Sequence, residues 1–152
     1  MTGVEFRDAR IEDLRSIIDL ISDDDLGRQR ELTKGPLADE YRQAFDAISG
    51  DPNQLMVVGE RHGEVIAYMQ ISFIPGLSRK GAWRGQLESI RVASHLRGQG
   101  IGTAFLRCAI ELCRQRDCRL VQLTSDRRRA NALRLYEQLG FVASHNGLKL
   151  EL

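Results

Sequence analysis

The chain has 152 residues, 42% of them hydrophobic and 28% charged, with a formal net charge of +1 at pH 7. That is the size and balance of one globular domain, here residues 3–152, able to bury roughly 70% of its unfolded surface. Near-neutrality argues against a dedicated nucleic-acid binder, and no apolar run approaches the ~18 residues of a membrane span or a leader core, so a cytoplasmic protein is expected.

"VEFRDA" reads as a first strand, and "IEDLRSIIDLI" repeats Ile11, Leu14, Ile17, Ile18 and Ile21 at helical spacing. The polar stretch "SDDDLGRQRELTKGP" follows neither period. Pro36 marks the start of a second helix with Leu37, Tyr41, Ala44, Phe45 and Ile48 as its stripe. "QLMVVGER" and "EVIAYMQISFI" flank "HG" as a hairpin, Pro75 to Ala82 reads as a loop, and "WRGQLESIRV" is a strand. A third helix carries Ile101, Phe105, Cys108, Ala109 and Leu112. Beyond it come a strand "LVQLTS", a helix "NALRLYEQL" closed by Gly140, and a last hairpin of "FVAS" and "LKLEL" around "HNG". The order predicts an α/β or α+β fold, a mixed central sheet flanked by about four helices. Cys108, Cys113 and Cys118 are odd in number and spaced by five, which suits neither a disulfide framework nor a zinc site, and no metal is expected.

Between strand and third helix lies "HLRGQGIG", with Gly98, Gly100 and Gly102 at alternate positions. Glycine costs about 1 kcal/mol in a helix relative to alanine, so close approach to the backbone is the expected compensation. Unpaired amides at a helix start attract anions, and glycines let them close around a phosphate. A Walker loop needs lysine after the last glycine, whereas Thr103 follows Gly102. A dinucleotide loop needs glycine at Thr103 and an acid near Thr124 and Ser125. Neither pattern fits.

Arg97-Gly98-Gln99-Gly100-Ile101-Gly102 resembles the pyrophosphate loop of the GNAT acetyltransferases, and "LESIRV" before it and "NALRLYEQLGF" after it match the same family. The resemblance spans nearly all of residues 3–152. It implies the acyl-CoA N-acyltransferase fold, acetyl-CoA as cosubstrate, and direct transfer of acetyl to a primary amine of a small molecule or peptide. It places the pantetheine arm along Ile90, Arg91 and Val92, and the pyrophosphate on the amides of Arg97, Gly98, Gln99, Gly100, Ile101, Gly102 and Thr103. Asn131 is implied as a further contact to that arm, and Tyr136 as the proton donor to the departing thiolate.

The remaining residues leave alternatives open. Tyr136, flanked by Leu133 and Leu139, also reads as a core residue, and Asn131 as a helix N-cap. Glu88, the one carboxylate of its strand, shares a face with Gln86, Ile90 and Val92 by the period of two. It is the candidate general base or a partner for Arg84 or Arg91, although family members carry the glutamate nearer Gln86. Asp23, Asp24 and Asp25 form either an acidic lip for the amine or a solvated turn, and Arg127, Arg128 and Arg129 either contact coenzyme A phosphates or form a nucleic-acid patch, against which the lack of interleaved aromatics counts. The acceptor is read by segments 22–36 and 74–83. The short apolar edge of "LKLEL" predicts a homodimer. A non-catalytic acyl-CoA-binding module is the competing function.

Overall fold

The computed structural model describes residues 3–31 and 34–152; Leu32 and Thr33, within the polar stretch "SDDDLGRQRELTKGP", lie outside it. Five strands form one sheet in the order β1-β2-β3-β4-β5: β1 (Glu5–Asp8), β2 (Gln54–Arg61), β3 (Glu64–Ile74), β4 (Trp83–Val92) and β5 (Cys118–Leu123). The first four are antiparallel neighbours, and β5 runs parallel to β4. Helices α1 (Leu14–Ile21), α2 (Asp25–Arg30) and α3 (Asp39–Ser49) precede β2. A turn, α4 (Ser78–Gly81), precedes β4, and α5 (Ile101–Gln115) and α6 (Ala130–Gln138) flank β5. Among the described residues no helix is long and apolar enough to cross a membrane.

The sheet is covered on both faces, and consecutive residues at the centres of β2 (Met56 to Gly59) and β3 (Ile66 to Met69) are therefore buried. Phe6 stacks on Phe105 of α5, with ring centroids 5.0 Å apart. Its cross-strand neighbour Gly59 therefore faces α5, as do Ala67, Met69 and Ile71. The alternate set, with Tyr68, faces α1 and α3. Phe105, Met69, Ile71 and Leu106 are fully buried, each worth about 1.5–3 kcal/mol over exposure. Ahead of α1, Ile11–Asp13 winds as a 3-10 turn. Here Asp13, itself buried, receives both terminal nitrogens of Arg7 (2.7 and 3.0 Å) and the Arg10 amide (2.8 Å).

Four sequence expectations change. The second helix starts at Asp39 rather than Pro36. The polar stretch contains α2, capped by the Asp24 carboxylate, which accepts from the Gly27 amide at 2.6 Å. The loop 75–82 contains α4, in which Arg79 and Lys80 adopt left-handed backbone angles. The last hairpin is not formed: residues 141–152 carry no strand, and Val142, Leu148, Leu150 and Leu152 stand exposed. With no apolar surface beneath them, alternating leucines alone do not hold a strand.

Candidate active site

The site begins where β4 and β5 part. Their parallel pairing ends at Leu87 opposite Leu123, while β4 continues to Val92. From Glu88 onward the edge of β4 away from β3 has no strand beside it, so extended backbone is open to an extended ligand. At the same point β4 carries a bulge. Tyr68 pairs with Arg91 and Gln70 with Glu88, so the single residue Met69 opposes both Ser89 and Ile90, and Ser89 has φ +52°.

That bulge corrects one expectation. Glu88 lies across from Gln70 on the α1 and α3 face, and Arg91, across from Tyr68, follows it there. Val92 pairs with Ala67 and faces α5. Glu88 thus shares its face with Gln86 and Arg91, not with Ile90 and Val92, because the extra residue inverts the alternation. Its carboxylate is exposed and accepts a hydrogen bond from Gln86 Nε2 (3.2 Å).

Beyond Val92 the chain makes a 3-10 turn (Ser94–Leu96) and enters α5 through the glycine loop. The Arg97 amide donates to Ser94 O (3.3 Å), and the first helical bond runs from Ala104 N to Gly100 O (3.1 Å). Between them, the amides from Gly98 to Thr103 have no backbone acceptor among the described residues. The open set therefore starts at Gly98, and Arg97, expected to share it, spends its amide within the turn. Arg97 instead uses its side chain, donating from Nε to Val92 O and from Nη2 to Asp23 O (both 3.2 Å).

Gly98 and Gly100 have φ +77° and +80°, with nothing within 4 Å of where a Cβ would stand. The left-handed backbone and the clear space before the amides account for both. Gly102 differs: a Cβ there would lie 3.3 Å from Leu135 of α6. Helix α6 crosses so close to the start of α5 that a side chain at 102 would have to push the Leu135 methyl aside.

This crossing delivers Tyr136. It is buried, its ring 6.0 Å from Phe141 in an edge contact, and the charges of Arg91 and Arg129 reach its hydroxyl. Burial pushes its pKa up and the two guanidiniums oppose the rise only in part. The phenol therefore keeps its proton across the neutral range. Asn131 is exposed in the first turn of α6; the N-cap is Arg129, so the capping alternative for Asn131 does not hold.

The aspartate run is used internally. Asp23 accepts from the Ser94 amide (2.7 Å) and hydroxyl (3.2 Å), tying the end of α1 to the loop after β4. Asp24 caps α2 and pairs with Arg129 at 2.8 Å. The neighbouring charges of Arg129, Arg91 and Arg97, with the Gly27 amide, hold its carboxyl below the usual range despite desolvation, the largest single influence on it. Asp25 pairs with Arg28. Asp23 and Asp24 thus fasten the site together, whereas Asp25 stays exposed on its own helix. Of the arginine triplet, Arg128 binds Asp126 (2.8 Å) and Arg129 binds Asp24, which leaves Arg127 exposed.

Open amides at a helix start lie beside an unpaired strand edge, and the buried Tyr136 keeps its proton within reach of the charge of Arg91 on that strand. The chain belongs to the acetyltransferase (GNAT) family, whose model matches residues 15–141. Its activity is transfer of an acetyl group to an amine. It is 32% identical over 146 residues to the aminoalkylphosphonate N-acetyltransferase of Salmonella typhimurium, covering 95% of this chain and 89% of that one. It is 28% identical over 151 residues to an L-methionine sulfoximine/L-methionine sulfone acetyltransferase of Pseudomonas paraeruginosa, covering 93% and 82%. The crystal structure of a transcriptional regulator from Bacillus halodurans C-125 superposes with a TM-score of 0.95 at 43% identity, over 98% of this chain and 99% of that one.

Proposed function

We propose that this chain, as one domain of residues 3–152, moves acetyl from acetyl-CoA to the primary amine of a small molecule in the cytoplasm. The reading is carried by the run of open amides from Gly98 to Thr103 beside the unpaired β4 edge. A pyrophosphate suits those amides, because Gly98 and Gly100 leave the space before them clear. The edge at Ile90, Arg91 and Val92 suits an amide-bearing arm, and Asn131 stands in the first turn of α6 to join it.

When bound, acetyl-CoA supplies an activated acetyl thioester. The chain's residues do the rest. Glu88, on the face shared with Gln70, takes the amine's proton, directly or through a water. Open backbone of β4 donates to the developing oxyanion. Tyr136 holds its proton at Oη and releases it to the thiolate. The aminoalkylphosphonate and methionine sulfoximine activities of the two relatives support a small-molecule acceptor.

Acetyl-CoA at ~100 times its dissociation constant is expected to stabilise the protein by about 2.7 kcal/mol, a rise in melting temperature of roughly 5–10 °C. NADH and ATP at equal concentration should give much less in the same thermal-shift measurement. Equal shifts from all three would contradict the loop's assignment.

The chain is further proposed to pair with a second copy. Strand β5 is an edge of the sheet, and Leu148, Leu150 and Leu152 stand exposed. Light scattering at tens of micromolar should give the mass of two chains, and a monomer mass overturns the pairing.

A further inference from the structure

Beneath α1 and α3 lies a cavity of about 240 Å³ that the reaction described so far does not use. Ile17 and Ile21 of α1, Phe45 of α3 and Met56 of β2 wall it. On the sheet side it is lined by Gln70 and by Ser89, the bulge residue and its one contact with β4. Because Gln70 pairs with Glu88, the cavity opens against the part of β4 whose carboxylate is proposed to receive the amine's proton. The bulge thus joins the reacting edge of β4 to an apolar chamber on the opposite side from α5.

Two of the chamber's polar contacts are taken up internally, and Tyr68 and Ser89 add their hydroxyls to its lining. Glu31, the one carboxylate among the described residues that line it, accepts the Tyr41 hydroxyl at 2.7 Å, and Gln70 donates to Gln54 at 3.0 Å. An occupant of the interior meets mainly methyl, methylene and aromatic surface. We propose that this cavity receives the non-reacting body of the acceptor, and that the acceptor is a primary amine carrying a compact apolar chain. The proposal rests on the acetyl-transfer reading and specifies its substrate class: the amine nitrogen stands at the bulge beside Glu88, and the apolar body extends between α1 and α3.

A homologous series of n-alkylamines from ethylamine to hexylamine separates the two readings, because amine basicity is nearly constant along it. If the body enters the cavity, kcat/KM rises by about 4-fold per added methylene until the space is filled, the transfer value of one buried methylene. Ala44, exposed on α3 and lining the same cavity, offers a way to shorten it, and Met56 a way to lengthen it. Ala44→Phe should move the optimum to a shorter amine, and Met56→Ala should move it to a longer one. Circular dichroism and the acetyl-CoA thermal shift report whether each variant is folded. A wild-type series turned over at equal kcat/KM, or optima that both substitutions leave in place, overturns the cavity's assignment while acetyl transfer stands. Absence of amine-dependent thiol release with every member, and with amino acids and aminoalkylphosphonates, overturns the transfer reading and the cavity's role with it.

Discussion

Replacing Tyr136 by phenylalanine is expected to lower kcat for acetyl transfer by roughly 100-fold, the low end for loss of a general acid, because a thiolate is already a tolerable leaving group. The ring remains, and with it the edge contact to Phe141 and the packing of α6. Folding and acetyl-CoA affinity should therefore change little. Burial keeps the wild-type hydroxyl protonated to a higher pH than a free tyrosine, against the partial opposition of Arg91 and Arg129. The wild-type rate should accordingly rise with pH as the amine loses its proton, and should not fall until above the ordinary tyrosine range near ~10. Full turnover by Tyr136→Phe would make the tyrosine a packing residue. Loss of acetyl-CoA binding together with rate would place it in the binding surface instead.

The largest effect on stability is expected at Asp13. Its carboxylate takes two hydrogen bonds from Arg7 and one from the Arg10 amide, and Arg7 turns its Nε to Glu60 (2.8 Å). Asp13→Ala leaves a part-buried guanidinium with only Glu60 to balance it, at a cost of about 3 kcal/mol, the upper end for loss of hydrogen bonds between charged groups. In a domain of this length that is a fall of roughly 10 °C in melting temperature.

The same group sets an acid dependence. The Arg7 hydrogen bonds hold the Asp13 carboxyl below its ordinary value in the folded protein, against the opposing effect of burial. A depressed folded pKa means that the stabilisation is present above the unfolded value, near ~4, and is lost as pH falls through the folded one. Urea midpoints measured from neutral pH downward should decline more steeply in the wild type than in Asp13→Asn. Parallel declines would mean that the pair contributes nothing specific.

Much of the sheet was legible because hydrophobic pattern and turn chemistry agreed there. "HG" with His62 at φ +55° and Gly63 at φ +79° makes the two-residue turn that joins β2 to β3, and β4 spans the ten residues read as a strand. Helix α2 was not legible. It has no apolar stripe, and it stands on the Asp24 cap and on ties from Asp23 and Asp24 to Ser94 and Arg129, far along the chain. An aspartate ahead of a polar run was its one local signal. The bulge at Ser89 has none, since nothing about a serine announces a left-handed backbone, and the face of Glu88 depends on it. The part-buried Arg7–Asp13 pair has no sequence signal either, because charge in a sequence looks solvated until tertiary contacts enclose it. In the glycine loop the chemistry was legible and its division was not: Gly98 and Gly100 serve the backbone's handedness, while Gly102 admits α6.

The most direct test of the account is to incubate the wild-type protein with acetyl-CoA and a panel of primary amines, alkylamines, amino acids and aminoalkylphosphonates together. Free thiol and the mass of the amine product are followed in the same reaction. The account predicts coenzyme A and N-acetylated amine in equal amounts, released only when an amine is present. Acetyl-CoA binding with no amine-dependent release across the panel would contradict it, and would make the glycine loop the ligand site of a binding module rather than of an enzyme.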